Sequence, residues 1–245
     1  MSGGLVRLKG STVAALGALL IIGILYATDQ VAPAGTAREA QLRIWLAARA
    51  TGITALVLLT LQVVLGLVLS HPTNQSTWKL SKRLFPWHEN LFVFIVAFLA
   101  VHVAFLILDP YAGVGIGGAF VPGLSSYRTV PVAVGVVALY ALLITGLTAR
   151  YPKRLPAGWW LKIHRFSLVV LVGAWAHGML SGTDSQPFLP IYVASGASVV
   201  AAAAYRYWVV RRARNAAHAP AVVKRPVPEP ARALTREATI GGTDA

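Results

Sequence analysis

The sequence contains no cysteine and few charged residues, and each shortage excludes a class of protein. Without cysteine there is no thiolate-bound iron–sulfur cluster, no heme attached through C-x-x-C-H and no disulfide. Charged residues occupy 12% of the 245 positions, whereas 56% are hydrophobic. This composition is far from that of a soluble domain and indicates a protein of the lipid bilayer.

Acidic residues are especially scarce. The sequence has 8 of them and 22 lysines and arginines, which gives a net charge of +14. A nucleic-acid partner would require the basic residues to form one face, but they lie between and after the apolar segments. We therefore predict no nucleic-acid binding and attribute the charge to membrane topology.

Six apolar segments approach or reach the length of about 20 residues that crosses a bilayer. They predict an all-α, polytopic membrane helical bundle of about six transmembrane helices. In chain order, the predicted spans are Thr12–Ala27, Trp45–Ser70, Trp87–Leu108, Pro131–Ala149, Leu161–Leu180 and Phe188–Val210.

These spans divide the chain into an N-terminal segment (1–44), a core (45–180), a last transmembrane helix (181–212) and a tail (213–245). Residues 32–34 also fit the cleavage site of a signal peptide, although their distance from the first apolar run favours a retained helix. The tail has almost no large apolar residues, so we expect it to be disordered.

Basic residues are concentrated in segments 71–86 and 150–160 and directly after the last span, whereas loops 110–130 and 181–187 hold only Arg128 and Asp184 as charged residues. Short cytoplasmic segments collect lysine and arginine. The pattern therefore predicts a multi-pass protein of the cell membrane with both termini in the cytoplasm.

Two of the predicted spans carry two histidines each. His88 and His102 are 14 residues apart, which is about 21 Å along a helix and within about 40° of one face. His164 and His177 are 13 residues apart, about 19.5 Å along the axis but about 140° apart around it. The two histidines of each span are thus separated by nearly the same depth. They share one helix face in the first span but not in the second. A distortion near Gly173, or cofactors on different sides of the helix, would reconcile the two spacings.

A histidine in hydrocarbon is costly and indicates function. Because the two spans run in the same direction, His88 pairs with His164 near the cytoplasmic face, and His102 pairs with His177 toward the outer face. Two neutral imidazoles on opposite sides of a porphyrin are axial ligands of iron, so the pattern predicts two hemes b.

Two other interpretations stay open. The histidines of a non-catalytic transporter or scaffold subunit would only bridge helices by hydrogen bonds. Alternatively, a one-heme electron-transfer subunit would use the remaining site for flavin or quinone.

The same residues resemble the ferric reductase-like transmembrane domain, the six-helix heme module of ferric reductases, NADPH oxidases and the heme-binding subunit of the methionine sulfoxide reductase system. The resemblance covers about residues 45–180 and rests on the four histidines, Ala48-Arg49-Ala50 and Trp160-Leu161-Lys162-Ile163-His164. It implies that Arg49 neutralises a propionate of the outer heme or attracts an anionic acceptor, while snorkelling of this side chain to the headgroups is an equal alternative.

Two departures from the family narrow the function. Leu106 stands where oxidase members carry a further histidine, which weakens an oxidase interpretation. The cytosolic flavin and nicotinamide domain has no counterpart, so a separate donor, a flavoprotein or a quinone, is required, and whether the chain is itself an enzyme stays open. We predict a membrane cytochrome b that carries electrons from a cytoplasmic-side donor to ferric iron or a protein partner outside.

A reporter fused after Asp244 tests the predicted orientation. We expect a cytoplasmic reporter to be active there, because the basic segments hold the C-terminus inside. A reporter within loop 110–130 is the opposite control. Activity of a periplasm-type reporter after Asp244 would invert the order of the two histidine pairs across the membrane.

Overall fold

The structure, a computed structural model, describes residues 33–69, 78–182 and 186–217 together with isolated positions between 12 and 30. This part of the chain contains no β-strand, and two short 3₁₀ turns, Pro152–Arg154 and Gln186–Phe188, join its helices. The helices are α1 (Ala37–Leu69), α2 (Trp78–Leu108), α3 (Gly115–Phe120), α4 (Thr129–Arg150), α5 (Trp159–His164), α6 (Ser167–Ser181) and α7 (Leu189–Ala217).

Within the described ranges, five segments are long and apolar enough to cross a membrane. They are α1, α2 from Ser81, α4, the α5–α6 segment, and α7 with the turn before it. The predicted all-α membrane bundle is thus confirmed. The first predicted span, Thr12–Ala27, lies mostly among positions that the structure does not describe, as do residues 218–245 of the predicted tail.

Several helices extend beyond the apolar runs that predict them. α1 begins at Ala37 instead of Trp45, and α2 begins at Trp78 and continues through Pro86. Proline removes one backbone hydrogen bond, which is tolerated in a transmembrane helix where water or neighbouring groups satisfy the freed carbonyl. α7 continues to Ala217, so residues 213–217, which the sequence assigns to the tail, are helical.

The fifth predicted span is interrupted between α5 and α6. α5 ends at His164, and the amide of Phe166 donates to the carbonyl of Ile163, a bond of the 3₁₀ type. A 3₁₀ step turns the chain by about 120° per residue instead of about 100°. The interruption lies at Arg165–Phe166. It therefore changes the direction around the helix axis in which His177, the second histidine of this span, points. The expectation of a distortion near Gly173 is wrong, because that residue lies inside α6.

The core occupies the level between the two ends of the bundle. α1 packs most extensively on α2, α4 on α6, and α1 also on α7. Ile95 of α2 is fully buried and lies seven residues from both His88 and His102, so it points to the same side midway between them. Around it cluster Leu56, Leu59, Val63, Leu142, Val170, Leu171 and Tyr192.

A buried hydrogen bond joins α1 to α7 inside this core. The hydroxyl oxygens of Thr60 and Ser195 are 2.6 Å apart. Because the Thr60 hydroxyl donates to the carbonyl of Leu56, Ser195 is the donor toward Thr60. Such bonds hold membrane helices together where lipid gives no hydrophobic driving force.

Gly146 of α4 receives the ring of Phe92 so closely that a Cβ at this position would overlap with it. We expect Gly146→Ala to lower the free energy of unfolding by about 1–3 kcal/mol, as overpacking does. Denaturant unfolding in mixed micelles measures the change. Gly196→Ala is the matched control, because a Cβ there meets open space. In a Phe92→Leu background the penalty should shrink, and an undiminished penalty would assign it to another neighbour.

Candidate functional site

The four predicted histidines meet as two pairs. The ring centroids of His88 and His164 are 6.0 Å apart with an interplanar angle of 84°. Those of His102 and His177 are 6.4 Å apart with an angle of 83°. The first pair joins α2 to the end of α5, and the second joins α2 to α6. These are the pairs that the sequence predicts, while their ligation of heme stays a prediction.

The spacing of the rings matches that of two imidazoles on one metal ion. An imidazole nitrogen binds a transition metal at about 2 Å, and the ring centre lies about 1.1 Å behind it, so two coaxial rings have centroids about 6.2 Å apart. Rings that share an N–H···N hydrogen bond of about 2.9 Å would lie closer, at about 5 Å. The observed 6.0 and 6.4 Å are therefore longer than direct bridging and close to the spacing of two imidazoles on one metal, a range that ordinary edge-to-face ring contacts also cover.

Three of the four rings are tied by Nδ1 to a backbone carbonyl of a neighbouring helix. A carbonyl only accepts, so in each neutral ring Nδ1 carries the hydrogen and Nε2 keeps its lone pair. Metal-ligating histidines are oriented in this way. The bonds run from His88 to Gln62 (3.0 Å), from His102 to Ala48 (2.6 Å) and from His177 to Pro131 (2.8 Å).

His164 differs from the other three rings. Its Nδ1 is buried and has no hydrogen-bond partner among the described residues. The backbone of Thr145 faces the ring without meeting hydrogen-bond geometry, and its carbonyl accepts from the hydroxyl of Thr148 at 3.2 Å. Trp160 lies against the same ring with centroids 6.2 Å apart. Neighbouring side chains thus confine this imidazole, but no hydrogen bond fixes its tautomer.

A cavity of about 190 Å³ lies between the outer histidines, His102 and His177, and extends into the core. Its walls are mainly apolar side chains of α1, α2, α4 and α6. Arg49 contributes a positive charge to the lining, and its guanidinium lies 4.7 Å from the centre of the Phe188 ring. An apolar slot with an imidazole on either side and a cation in its lining has the chemical character that a flat apolar cofactor with an anionic edge, such as heme, requires. His88 and His164 do not line this cavity.

Loop 110–130 covers the outer end of the cavity. Three residues in or beside α3 are buried: Ala112, Val114 and Ala119. Val114 and Ala119 also line the cavity. Tyr127 anchors the loop, because its hydroxyl donates to the carbonyl of Ser181 at 2.7 Å and its ring meets Trp45 edge-on. The loop therefore closes this end of the cavity.

The sequence interpretation missed two kinds of residue at the site. Tyr192 of α7 lines the outer cavity, and its carbonyl accepts the indole N–H of Trp175 at 3.1 Å. Glycines lie directly against three histidine rings, and two of them, Gly52 and Gly66, are 14 residues apart. This interval equals that between His88 and His102, a repeat visible in the sequence that would have identified them.

A comparison with protein families matches residues 51–175 to the Ferric reductase like transmembrane component. The matched range covers 125 of the 245 residues, includes His88, His102 and His164, and ends two residues before His177. The chain therefore belongs to the ferric reductase-like transmembrane family, as the resemblance predicted. Searches among curated proteins and among solved structures found no match. Family and helices together define a multi-pass membrane protein and point to electron transfer.

Proposed function

We propose that the chain is a membrane cytochrome b that carries electrons across the bilayer through two bis-histidine hemes. The observation that carries this proposal is the spacing of the rings, since each pair lies at the distance of two imidazoles on one metal. Membership in the ferric reductase-like family supports it. When bound, heme supplies one-electron chemistry, because its iron changes between the ferric and ferrous states.

The histidine pairs and the apolar side chains around them would hold the two cofactors and shield them from water. His88 and His164 would hold the inner heme, and His102 and His177 the outer one. Arg49 lines the outer cavity beside Phe188, where its charge would hold a propionate. The apolar core around Ile95 separates the two levels, so the two histidines of each pair and the apolar side chains around them would set the properties of each site.

The electron donor would act at the basic cytoplasmic end. Lys82 and Arg83 on α2 are exposed there, as are Lys153 and Arg154 after α4. Such a surface steers an acidic partner, and a membrane flavoprotein is one donor of this kind, with reduced quinone as the other class. The acceptor would be ferric iron or an extracytoplasmic protein at the loop over the outer cavity. In this proposal the protein lies in the cell membrane with both termini in the cytoplasm, as the distribution of lysine and arginine predicts.

A one-heme subunit is the second candidate. Two observations favour it, because only the outer pair lines the cavity and Nδ1 of His164 has no hydrogen-bond partner in the described part of the chain. The inner site would then take flavin or quinone. Quantitation of heme per chain separates the candidates, since the first requires two and the second one. A colourless protein after expression with ample heme would favour a subunit whose histidines are structural.

Alanine substitutions test whether each histidine pair acts as a unit. We expect His102→Ala and His177→Ala to remove the same heme or convert it to high spin, because low-spin iron needs both imidazoles. His88→Ala and His164→Ala should affect the other heme. Reduced-minus-oxidised spectra with heme quantitation measure both effects. His71→Ala and His218→Ala are controls. If His102→Ala and His177→Ala altered different hemes, the pairing would be wrong.

The isolated chain should not oxidise NADPH, because the described part of the chain contains no β-strand, which a nucleotide-binding fold requires. The absorbance of NADPH is followed with a ferric chelate as acceptor. Chemical reduction of the same sample is the positive control, since it shows that the hemes accept electrons. Steady NADPH consumption by the pure chain would overturn the claim that the electron source is a separate molecule.

A further inference from the structure

Three of the four imidazole rings lie against a glycine of the helix that supplies their hydrogen-bond acceptor. In each case the glycine follows the accepting carbonyl by four residues. A Cβ added to the glycine would come very close to the ring. The distances are 2.9 Å from Gly52 to His102, 3.1 Å from Gly66 to His88 and 2.5 Å from Gly135 to His177.

Helix geometry explains why a glycine is needed at this position. The carbonyl of residue i accepts the amide of residue i+4 and has a second lone pair for another donor. The side chain of residue i+4 lies on the same face of the helix, directly beside that lone pair. A ring from a neighbouring helix reaches the carbonyl only where this side chain is missing, so glycine and carbonyl together form a notch.

We propose that Gly52, Gly66 and Gly135 are positioning residues, and that each forms, with the carbonyl four residues earlier, a notch that fixes the orientation and tautomer of one heme ligand. His164, of the four histidines, is held without such a notch. This inference rests on the proposed heme function and identifies the groups that orient the histidine ligands. Groups that orient a metal-binding histidine typically change metal affinity by about 10- to 100-fold when altered.

The register of the helices accounts for both the notches and the exception. α1 and α2 are antiparallel, so moving 14 residues along each leads from Gly52 opposite His102 to Gly66 opposite His88. On α4, the carbonyl that faces His164 is that of Thr145, 14 residues after Pro131, and the residue four positions later, 14 after Gly135, is Ala149 instead of a glycine.

The hydroxyl of Thr148 donates hydrogen bonds to the carbonyls of Ile144 and Thr145, at 2.6 and 3.2 Å. The nearby glycine of α4, Gly146, receives the ring of Phe92 instead of an imidazole. The inner site therefore combines one ring in a notch, His88, with one ring outside a notch, His164.

Alanine substitution of the three glycines in the heme-loaded protein tests the proposal. Gly52→Ala and Gly135→Ala should convert the outer heme from low to high spin or weaken its retention by about 10- to 100-fold. Gly66→Ala should affect only the inner heme, and less strongly, because a shift of a few tenths of an ångström relieves its contact. Gly196→Ala is the control, since its Cβ meets open space. The second heme in each variant reports an intact fold.

Spectra of all three variants equal to that of Gly196→Ala would overturn the proposal. Loss of both hemes in Gly52→Ala or Gly66→Ala would also overturn it, because the glycine would then serve packing of the bundle instead of one ring. A wild-type protein without heme would reject the proposed function alone. In that case nitrogen-15 shifts of the imidazoles test the notches directly, with the Nδ1–H tautomer expected in the wild type and a mixture in the variants.

Added imidazole tests the exception at His164. Because this ring lacks a notch, exogenous imidazole should perturb the spectrum of the inner heme at a lower concentration than that of the outer heme. His164→Ala assigns the inner signal. Equal sensitivity of the two hemes would show that the missing notch has no effect on ligation.

Discussion

The hydrogen bonds from imidazole Nδ1 to carbonyls of adjacent helices are the interactions on which the arrangement of the bundle depends. An N–H group without a partner is costly in hydrocarbon, and the second lone pair of a helical carbonyl is an acceptor available at every depth. To use it, two helices must approach closely, so the crossing needs a residue without a side chain. The hydrogen bonds of His102 and His177 thus join α2 to α1 and α6 to α4.

The two histidine-bearing ends of the bundle are built differently. At the outer end, both rings are fixed, Arg49 lines an apolar cavity, and the loop around α3 closes it. At the inner end, an aromatic ring, Trp160, confines His164, and exposed basic side chains lie nearby in the chain. The end with His102 and His177 is therefore an enclosed apolar cavity, whereas the end with His88 and His164 carries exposed basic side chains.

Much of this arrangement was predictable because a helix has a fixed rise. Depth follows from residue spacing alone, so His88 and His164 were paired correctly in space, as were His102 and His177. The facing of His177 was not predictable, since the turn at Arg165–Phe166 depends on packing of α5 and α6 against α4. Helix ends such as Ala37 were missed because polar residues continue a helix beyond its apolar stretch. Tyr192 has no local signal, since its role depends on where α7 packs.

The glycines of α1 and the histidines of α2 share a 14-residue interval, which restricts insertions and deletions in both helices. One residue inserted between Gly52 and Gly66 would shift one end of α1 by about 1.5 Å and rotate it by about 100° relative to the other. One of the two glycines would then no longer lie against its histidine ring, while the other would keep its contact. Insertions are consequently excluded from the middle of these two helices and confined to their ends and loops. The α5–α6 segment differs, because its turn accommodates an interval one residue shorter, 13 instead of 14.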